Sequence, residues 1–473
     1  MAATSSLGLL IEQPLSIFWT TYDPLDLASG SLDPLGFARG YLALADRFLP
    51  GFTTVSTTSA FLQASVIPAP NSLSAVLTRT PFDALPGLTP NQQAIGNGLE
   101  RGYGAALVSS VGAGFYSNLL TSQSSPAAIA GAYDAIGGEG VTGVQQTTFA
   151  AASRFVEAIR EQGAFWLSAA AQGANGDGAA DPPGSASARL GTGRLWAGAS
   201  GAGGHLGSDS SLGAAALSSH SWGGAAGLEI AVSPDLLVGI AGGGSGSNFS
   251  VSQRVTSGSV DGGQVGVYAV GRWNGFYGSG AFAWGHYGAS TTRSVAAFGT
   301  TGSNRGNFDA SVLTGRIEAG YVAETGFGNV TPFAALEPSS ITLPSFVETP
   351  STSSSPLSVL GFSGKTATSV PTSLGLQFDR AAVLDSGWTL APYLRAAWLH
   401  EWDTTRSVTA NLPVAPGAVF TVAGTPAARN AARLTGSVKL AQATNIAFYT
   451  NVVADLSAHG QAIAGNLGFT LSW

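Results

Sequence analysis

The last residues of the chain alternate between large apolar and small side chains. In "GNLGFTLSW", residues 465–473, Leu467, Phe469, Leu471 and Trp473 share one face, and small or polar residues occupy the positions between them. A period of two predicts a β-strand. A chain more often finishes in a frayed polar tail. Here we predict instead that the final strand runs to the terminal tryptophan.

The same alternation recurs from about residue 194 onward, in about twelve segments near the length of a membrane strand. Some segments are joined by tight turns such as Asn274-Gly275, which is a strong hairpin signal. Others are joined by longer polar stretches, including 351–363 and 404–427. Short turns at one end and long loops at the other are typical of an outer-membrane barrel. Since no backbone group can stay unpaired in lipid, the last strand should pair with the first.

The two faces of these segments differ in a way that favours a membrane barrel. Large apolar residues occupy one face, while the other face is small, glycine-rich and occasionally charged. A solvated face would favour Lys, Glu and Thr, whereas this one carries mostly Gly, Ala and Ser. We therefore predict that the large residues face lipid, among them Leu313, Ile317, Tyr321, Trp398 and Phe469. A two-sheet sandwich with a solvated exterior is the alternative that the pattern leaves open.

Charged residues on the small-residue face are predicted to point into the lumen. They are Glu229, Arg316, Glu318, Arg395 and Glu401. One interpretation pairs Arg316 with Glu318, and Arg395 with Glu401, within the wall. The other has them hold a threaded segment through charge-assisted hydrogen bonds. The possible partners before the first strand are Asp177, Asp181, Arg189 and Arg194.

The region before the barrel divides into three parts. Residues 1–87 show no clear repeat, residues 88–167 are predicted to be helical, and residues 168–193 form a small-residue linker that we expect to lie in the lumen. Two helix starts are indicated by capping residues followed by proline. These are Thr89 with Pro90 and Gln92, and Ser125 with Pro126. A third helix should present Phe149, Ala152, Val156 and Ile159 on one face.

Composition narrows the possible functions. The 473 residues include 65 glycines and no cysteine, so neither disulfides nor a thiolate site are possible. A formal charge of −7 argues against nucleic acid as a partner. No apolar run is long enough for a membrane helix. The run Leu7–Ile11 is too short for a secretory signal, and no basic residue precedes it.

We find no pattern that indicates catalysis or a cofactor. The sequence contains neither G-x-S-x-G nor H-E-x-x-H, and its five histidines are scattered without metal-ligand spacing. His400 and Glu401 are adjacent in a predicted strand and therefore point to opposite faces. The glycine runs do not lead into a phosphate-binding helix. We expect no metal, no cofactor and no enzymatic activity.

Residues from about 195 to 473 resemble the C-terminal β-domain of bacterial autotransporters, the type V secretion family. The likeness rests on "RLWAGASGAGGHLGSDSS", "FDASVLTGRIEAGYV", "LAPYLRAAWLHEWD" and the closing "LGFTLSW". It implies a mainly β chain with an antiparallel transmembrane barrel of about 12 strands in a Gram-negative outer membrane. Such a barrel exports or displays the preceding segment at the cell surface. Phe469, Leu471 and Trp473 match the signature by which the family is recognised for assembly.

The resemblance also implies partners and a departure from the family pattern. The expected partners are outer-membrane lipid and lipopolysaccharide, the barrel-assembly machinery and periplasmic chaperones, with a monomeric barrel. Residues 1–87 contain neither the signal peptide nor the β-helical passenger of the family. Either the sequence lacks upstream parts or the helical segment is itself the cargo. A passive channel, a structural surface protein without exported cargo and a soluble β-rich binding protein are the alternatives.

Overall fold

The computed structural model describes most of the chain from residue 57 onward. The described residues are 57, 59–69, 72–121, 125–173, 193–298, 300–351, 358–385, 387–442 and 445–473. Side chains are described for these residues except 66–69, 72–75 and 169–173. Predictions for residues 1–56 and 174–192 therefore lie outside the described part of the chain.

A closed antiparallel barrel of twelve strands forms the second half of the molecule, as predicted. Its first six strands are β3 (Gly193–Leu206), β4 (Leu217–Ser233), β5 (Leu236–Val251), β6 (Thr256–Trp273), β7 (Phe276–Ala297) and β8 (Thr300–Tyr321). The seventh is interrupted and comprises β9 (Ala323–Thr325), β10 (Gly328–Leu336), β11 (Ser339–Leu343) and β13 (Thr349–Pro350). The eighth comprises β15 (Lys365–Ser369), β16 (Pro371–Asp379) and β17 (Ala382–Val383). The last four are β18 (Trp388–Glu401), β21 (Asn430–Gln442), β22 (Ile446–Leu456) and β23 (Gly460–Ser472).

The barrel closes where the last strand pairs with the first. β23 runs antiparallel to β3 from Gly460 opposite Leu206 to Ser472 opposite Arg194. Beyond that ladder, Trp473 and Gly193 exchange two backbone hydrogen bonds of 3.0 and 3.1 Å. The pairing therefore continues to the terminal residue, so no strand edge remains open in the wall.

The two ends of the barrel differ in their connections. One end, which we call the turn end, carries Gly193, Trp473 and tight turns such as Asn274-Gly275. Both turn residues have positive φ, 47° and 82°, as the type I′ hairpin turn requires. The opposite end, which we call the cap end, carries the long connections between β10 and β16 and between β18 and β21.

Side chains alternate across the wall as the sequence pattern predicts. Leu313, Ile317, Tyr321, Trp398 and Phe469 all lie on the outer face, with exposed fractions of 36 to 61%. An apolar outer face on every side is unsuited to water and suited to lipid. The sandwich alternative is wrong, because the sheet closes on itself.

Four α-helices precede the barrel in the described part of the chain. They are α1 (Pro90–Ala106), α2 (Ser110–Thr121), α3 (Pro126–Ile136) and α4 (Thr142–Gly173). The two predicted starts are confirmed: Thr89 and Gln92 form a reciprocal capping box on α1, and Ser125 caps α3. The prediction that the helical region ends at residue 167 is wrong, since α4 continues six residues further, through "SAAAQG".

A small extramembrane domain, which we call the cap, sits at the cap end. It combines the described residues 57–141 with loops of the barrel. The N-terminal part contains α1, α2, α3 and the hairpin of β1 (Leu62–Ala69) and β2 (Ser72–Arg79). The loops contribute a four-stranded sheet of β12 (Phe346–Val347), β14 (Gly361–Phe362), β19 (Ser407–Asn411) and β20 (Val419–Ala423). Two of the stretches predicted to be loops, 351–363 and 404–427, therefore contain strands.

Candidate functional site: the barrel lumen

Helix α4 crosses the lumen from the cap end to the turn end. At the cap end, the Gln145 side-chain amide donates to the carbonyl of Ser407 at 2.8 Å. At the turn end, Arg194 donates to the carbonyl of Gln162 at 3.0 Å. At about 1.5 Å per residue, the helix is roughly 48 Å long, enough to span a membrane barrel. We call α4 the plug helix.

Polar side chains of the plug helix are anchored to the wall. The carboxylate of Glu161 accepts hydrogen bonds from Ser437, Asn451 and Asn466, on three adjacent strands, at 3.1, 2.6 and 2.9 Å. Arg160 pairs with Glu157 on the helix at 2.7 Å and donates to the Tyr393 hydroxyl at 3.0 Å. A buried charge is costly unless it is paired or hydrogen-bonded, so these contacts fix the helix at one height and rotation.

Apolar side chains of the plug helix pack against the wall along much of the lumen. The predicted face of the helix is buried, with Phe149, Ala152, Val156 and Ile159 at most 6% exposed. Nearer the turn end, the ring of Phe165 packs against Tyr393 and Tyr449 at centroid distances of 6.0 and 5.5 Å. Trp166 is fully buried and packs against Leu237 and Val270. The aromatic side chains therefore narrow the passage near the turn end.

The five charged residues predicted to face the lumen are all on the inner face of the wall, and each is at most 7% exposed. Glu229 forms an ion pair with Arg194 and accepts a hydrogen bond from Tyr268 at 2.7 Å. Glu318 lies between two guanidinium groups, with Arg316 at 2.6 Å and Arg395 at 2.7 Å. These are pairs within the wall, the first of the two interpretations.

One suggested pair is not formed. Glu401 instead accepts hydrogen bonds from Ser369 and from the backbone N–H groups of Val370 and Asp403. Arg395 and Glu401 lie six residues apart on one strand, which is about 20 Å at 3.3 Å per residue, too far for contact. Of the suggested partners before the barrel, Arg194 pairs with Glu229. The other three, Asp177, Asp181 and Arg189, lie outside the described residues.

The plug residues Glu157, Arg160 and Glu161 were missed by the sequence reasoning. Strand alternation assigns a face to wall residues but says nothing about a helix inside the barrel. A signal was available: this helix carries charged residues beside an apolar face and precedes the barrel in the sequence. Charges that would ordinarily face water can instead meet polar wall residues when a helix lies in a lumen.

The plug helix leaves a cavity of about 340 Å³ beside the seam where the barrel closes. It extends from Tyr449, nearer the turn end, to Leu206 and Ser457 at the cap end. Its wall carries small inward residues, including Ser200, Ala202, Gly204, Gly223 and Ala464. The lumen is therefore wider than the helix on this side.

The cap is joined to the barrel loops by a shared hydrophobic core. Phe82, Tyr116 and Tyr133 of the N-terminal part pack in one cluster with Phe298 and Phe420 of the barrel loops. All five are at most 3% exposed. Neither set could be buried in this way without the other, so the cap and the loops fold against each other.

Helix α1 covers the β20 edge of the four-stranded sheet formed by β12, β14, β19 and β20, which we call the loop sheet. The side-chain amide of Asn91 exchanges two hydrogen bonds with the backbone of Ala423, of 2.7 and 2.8 Å, as a neighbouring strand would. Gly98 and Gly102, one turn apart, let the helix approach β20. A Cβ at Gly102 would lie only 2.8 Å from both Cβ and the backbone nitrogen of Ala418. The edge of β20 is thereby covered.

An ion pair marks the junction between cap and plug. Glu139, just before α4, accepts from Arg254 at 2.6 Å and from the backbone N–H of Ala215 at the same distance. Burial raises the pKa of Glu139, and the adjacent Arg254 guanidinium opposes that rise. Both partners belong to barrel connections at the cap end, so the start of the plug helix is fixed to the rim.

Comparison with known families decides the identity of the barrel. The family described as "Autotransporter beta-domain" matches residues 195–453, more than half of the chain. The chain belongs to the autotransporter β-domain family. No curated protein sequence matches it.

Three solved structures are similar to this autotransporter barrel at low sequence identity. The translocator domain of autotransporter NalP from Neisseria meningitidis is 14% identical, covering 68% of this chain and 97% of that one, with a TM-score of 0.48. The β-domain of the Bordetella autotransporter Brka is 16% identical, covering 59% and 99%, with a TM-score of 0.44. The transport unit of AIDA-I from Escherichia coli is 15% identical, covering 60% and 91%, with a TM-score of 0.37.

Family membership and the lipid-facing wall place the autotransporter barrel in the outer membrane, where it is a translocator domain. None of the described helices has the length and apolarity required to cross a membrane. In outer-membrane barrels the short turns face the periplasm and the longer connections face outward.

Proposed function

We propose that this autotransporter exports the residues before the plug helix to the cell surface and retains the cap there. In this proposal the plug helix stays in the lumen after export. The observation that supports it best is the continuity of the chain. The cap packs on the outer loops, and α4 runs from the cap through the lumen toward the turn end, where the first strand begins at Gly193.

The direction of the plug helix supports surface display. Its first turns contact barrel residues at the cap end, through Gln145 and Ser407. Its later turns contact the turn end, through Gln162 and Arg194. If the turn end faces the periplasm, as in other outer-membrane barrels, the cap lies outside the cell.

The proposed cargo includes the cap itself. Its core is shared with the loops, so separation from the barrel would expose Phe82, Tyr116, Phe298 and Phe420 to water. Full burial of one such ring contributes about 1.5–3 kcal/mol relative to exposure. The cap is therefore suited to remain attached and to hold any upstream residues at the surface.

We propose no enzymatic activity for this chain. Display of a segment needs no bond to be made or broken. The five predicted lumen charges are held in ion pairs or hydrogen bonds that stabilise the wall. Closure of the sheet by its own strands supports a monomeric barrel.

Single cysteines can test the orientation, because the natural chain has none. Val108 of the cap is 90% exposed, so Val108→Cys should react with a membrane-impermeant maleimide on intact cells. The matched variant Asp235→Cys lies in a tight turn at the opposite end, where the Asp235 side chain is 64% exposed. It should react only after the outer membrane is permeabilised. The reverse pattern would contradict surface display.

We also propose that Phe469, Leu471 and Trp473 are read by the barrel-assembly machinery. These residues lie on the outer face of the closing strand, each at least 36% exposed. Before closure, the unpaired edges of β3 and β23 would favour aggregation, which is why periplasmic chaperones are proposed as transient partners. The proposed role of Trp473 is recognition during assembly more than stability of the finished barrel.

Trp473→Ser separates recognition from stability. We expect much less barrel in the outer membrane of cells that express this variant. The same variant refolded in detergent should be nearly as stable as the parent. A parallel loss in both assays would make Trp473 a structural anchor, and no loss in either would exclude a role in assembly.

A further inference from the structure

Histidines recur at one level of the lipid-facing surface. On β4, β7 and β18 an outward tryptophan is followed, two residues nearer the cap end, by an outward histidine. The pairs are Trp222 with His220, Trp284 with His286, and Trp398 with His400. β4 runs toward the turn end while β7 and β18 run away from it, so the spatial order is the same although the sequence order is reversed.

A fourth histidine extends the row. His205 on β3 is also exposed on the outer face, beside His220 of the neighbouring strand. Four of the five histidines in the chain therefore lie near this rim. We call His205, His220, His286 and His400 the histidine collar.

The collar lies beyond the apolar band of the barrel. On β7, Phe276 at the turn end and Trp284 are eight residues apart, roughly 26 Å along the strand and about 20 Å along the barrel axis. Aromatic residues of this kind mark the two membrane interfaces. Two residues further along the strand add about 5 Å on the same geometry, which puts the histidines at the level of lipid headgroups.

The barrel holds two of these imidazoles through Nδ1. His400 Nδ1 lies 2.8 Å from the side-chain oxygen of Asn430, and the ring packs against Trp398 and Trp402 at 5.6 and 4.5 Å. His205 Nδ1 lies 3.1 Å from the hydroxyl of Ser218. These contacts orient the rings without using Nε2, the nitrogen that a headgroup phosphate would engage.

The cross-strand neighbours of three collar histidines are uncharged. His205 faces Ser218 and Gln461. His220 faces Gly203 and Asn248. His400 faces Thr372 and Asn430, with Arg429 next to Asn430 and Asp403 three residues along the chain from His400.

His286 has a different setting. It faces Gly263 and Ser311. Asp261 and Asp309 lie on the same flanking strands, two residues nearer the cap end, and both are opposite Gly288. These carboxylates would attract a protonated His286 and repel a phosphate. The contribution of His286 to anion binding should therefore be the smallest of the four.

We propose that the histidine collar binds the phosphate groups of anionic lipids in the surrounding leaflet, more tightly as the pH falls. Histidine is the side chain that ordinarily gains its positive charge between neutral and mildly acidic pH. At the headgroup level, that charge meets phosphate at a site continuous with the lipid-facing belt. The proposal concerns a lipid-binding surface and does not depend on which part of the chain is exported.

The test uses the full chain in phosphatidylcholine vesicles that contain a minor fraction of spin-labelled phosphatidylglycerol or spin-labelled phosphatidylcholine. The phosphodiester of phosphatidylglycerol keeps one negative charge throughout the pH range of the test. Electron paramagnetic resonance gives the relative affinity of each label for the barrel surface. Between about pH 7.5 and about pH 5.5, the preference for phosphatidylglycerol should rise by about fivefold or more. An unchanged preference in the natural chain would overturn the proposal.

Two variants assign the effect to the collar. Substitution of all four collar residues by glutamine should abolish the rise. The matched control His459→Gln removes the fifth histidine, which lies in a cap-end turn with Nε2 3.0 Å from Thr425, and should retain the rise. A full rise in the fourfold variant would contradict the proposal. If that variant does not fold, the double substitution His205→Gln/His220→Gln should still reduce the rise, and no reduction would contradict the proposal.

Inorganic phosphate distinguishes a lipid site from a general anion site. An excess of free phosphate should leave the preference for phosphatidylglycerol nearly unchanged, because a lipid headgroup is held at the surface by its membrane anchor. Loss of the preference would show a site for free anions and would overturn the assignment to lipid.

Discussion

At the scale of single residues, Glu318 is the acidic centre of the lumen wall. It accepts hydrogen bonds from Arg316, Arg395 and Tyr277, which lie on β8, β18 and β7. Arg316 also binds Glu337 at 2.7 Å, and Arg395 lies over the ring of Phe333. The network therefore joins β7, β8 and the seventh wall strand to β18, across the intervening β16, around one buried carboxylate.

Removal of the Glu318 carboxylate should strongly destabilise the barrel. Glu318→Ala leaves the buried guanidinium of Arg395 without its carboxylate partner, and the loss of one member of a buried pair typically costs about 3–5 kcal/mol. The free energy of unfolding can be measured by denaturant titration of the refolded barrel in detergent.

Asp235→Ala is the control for that comparison. Asp235 forms an exposed ion pair with Arg272 in a tight turn, at 3.1 Å. Its loss should change the free energy of unfolding by at most about 1 kcal/mol. Equal effects of the two substitutions would show that the Glu318 network does not stabilise the fold.

For single residues, the sequence predicts which face of a strand a side chain occupies but not which side chain it contacts. Side chains in a strand alternate, so the inward position of Glu318 and Arg395 follows from sequence parity alone. Which inward charges meet depends on the register between strands. Thr435, for example, faces Arg395 only because β18 and β21 align as they do. The sequence pattern does not contain that register, so it does not show that Arg395 meets Glu318 of β8. The suggested pair of Arg395 with Glu401 fails for a simpler reason, because six residues of one strand span about 20 Å.

At the scale of elements, the plug helix shows the effect of composition on prediction. The stretch after residue 167 is rich in alanine and small residues, which suggested a linker. Alanine, however, has the highest intrinsic helix propensity. The structure extends α4 to Gly173, and the linker prediction for residues 174–192 remains a prediction.

The contact between α1 and β20 gives a paired prediction within one helix. Gly102→Ala places a methyl group 2.8 Å from Ala418 and should weaken docking of the cap. Gly104→Ala, on the exposed side where nothing lies within 4 Å, should stabilise α1 by up to about 1 kcal/mol.

Amide hydrogen exchange in residues 90–106 measures both effects. Exchange should become faster in Gly102→Ala and slower in Gly104→Ala. Changes of the same sign would mean that the close approach of α1 to the loop sheet does not determine cap docking.

The loop strands were not predictable in the same way as the wall strands. β12 and β14 are two residues each, too short to show alternation. They form a sheet because the cap supplies the partner surface, including the shared cluster around Phe420. Such strands depend on tertiary packing, to which local sequence patterns are insensitive.

At the scale of the whole molecule, the plug helix decides whether the barrel is an open channel. The helix occupies the lumen, and cavities of about 340 and 40 Å³ remain beside it among the described residues. A barrel that begins at Gly193 lacks the plug and should conduct ions far better than the full chain in a planar bilayer. Equal conductance would favour the passive-channel alternative.

The position of the plug helix in the cell is the central claim, and an engineered disulfide tests it most directly. A Cβ at Gly163 would lie 3.9 Å from Cβ of Val270, within the range of disulfides. The chain has no other cysteine, so Gly163→Cys/Val270→Cys contains a single possible pair. Gly131→Cys/Val270→Cys is the control, because Gly131 lies in the cap with nothing within 4 Å.

The measurement is the number of free thiols in outer membranes from mildly oxidised cells, counted by polyethylene-glycol maleimide after denaturation. If the plug helix occupies the lumen, the Gly163→Cys/Val270→Cys chain should gain no label, and the control pair should gain two. Two labels on both chains would contradict a helix held in the lumen of the assembled protein.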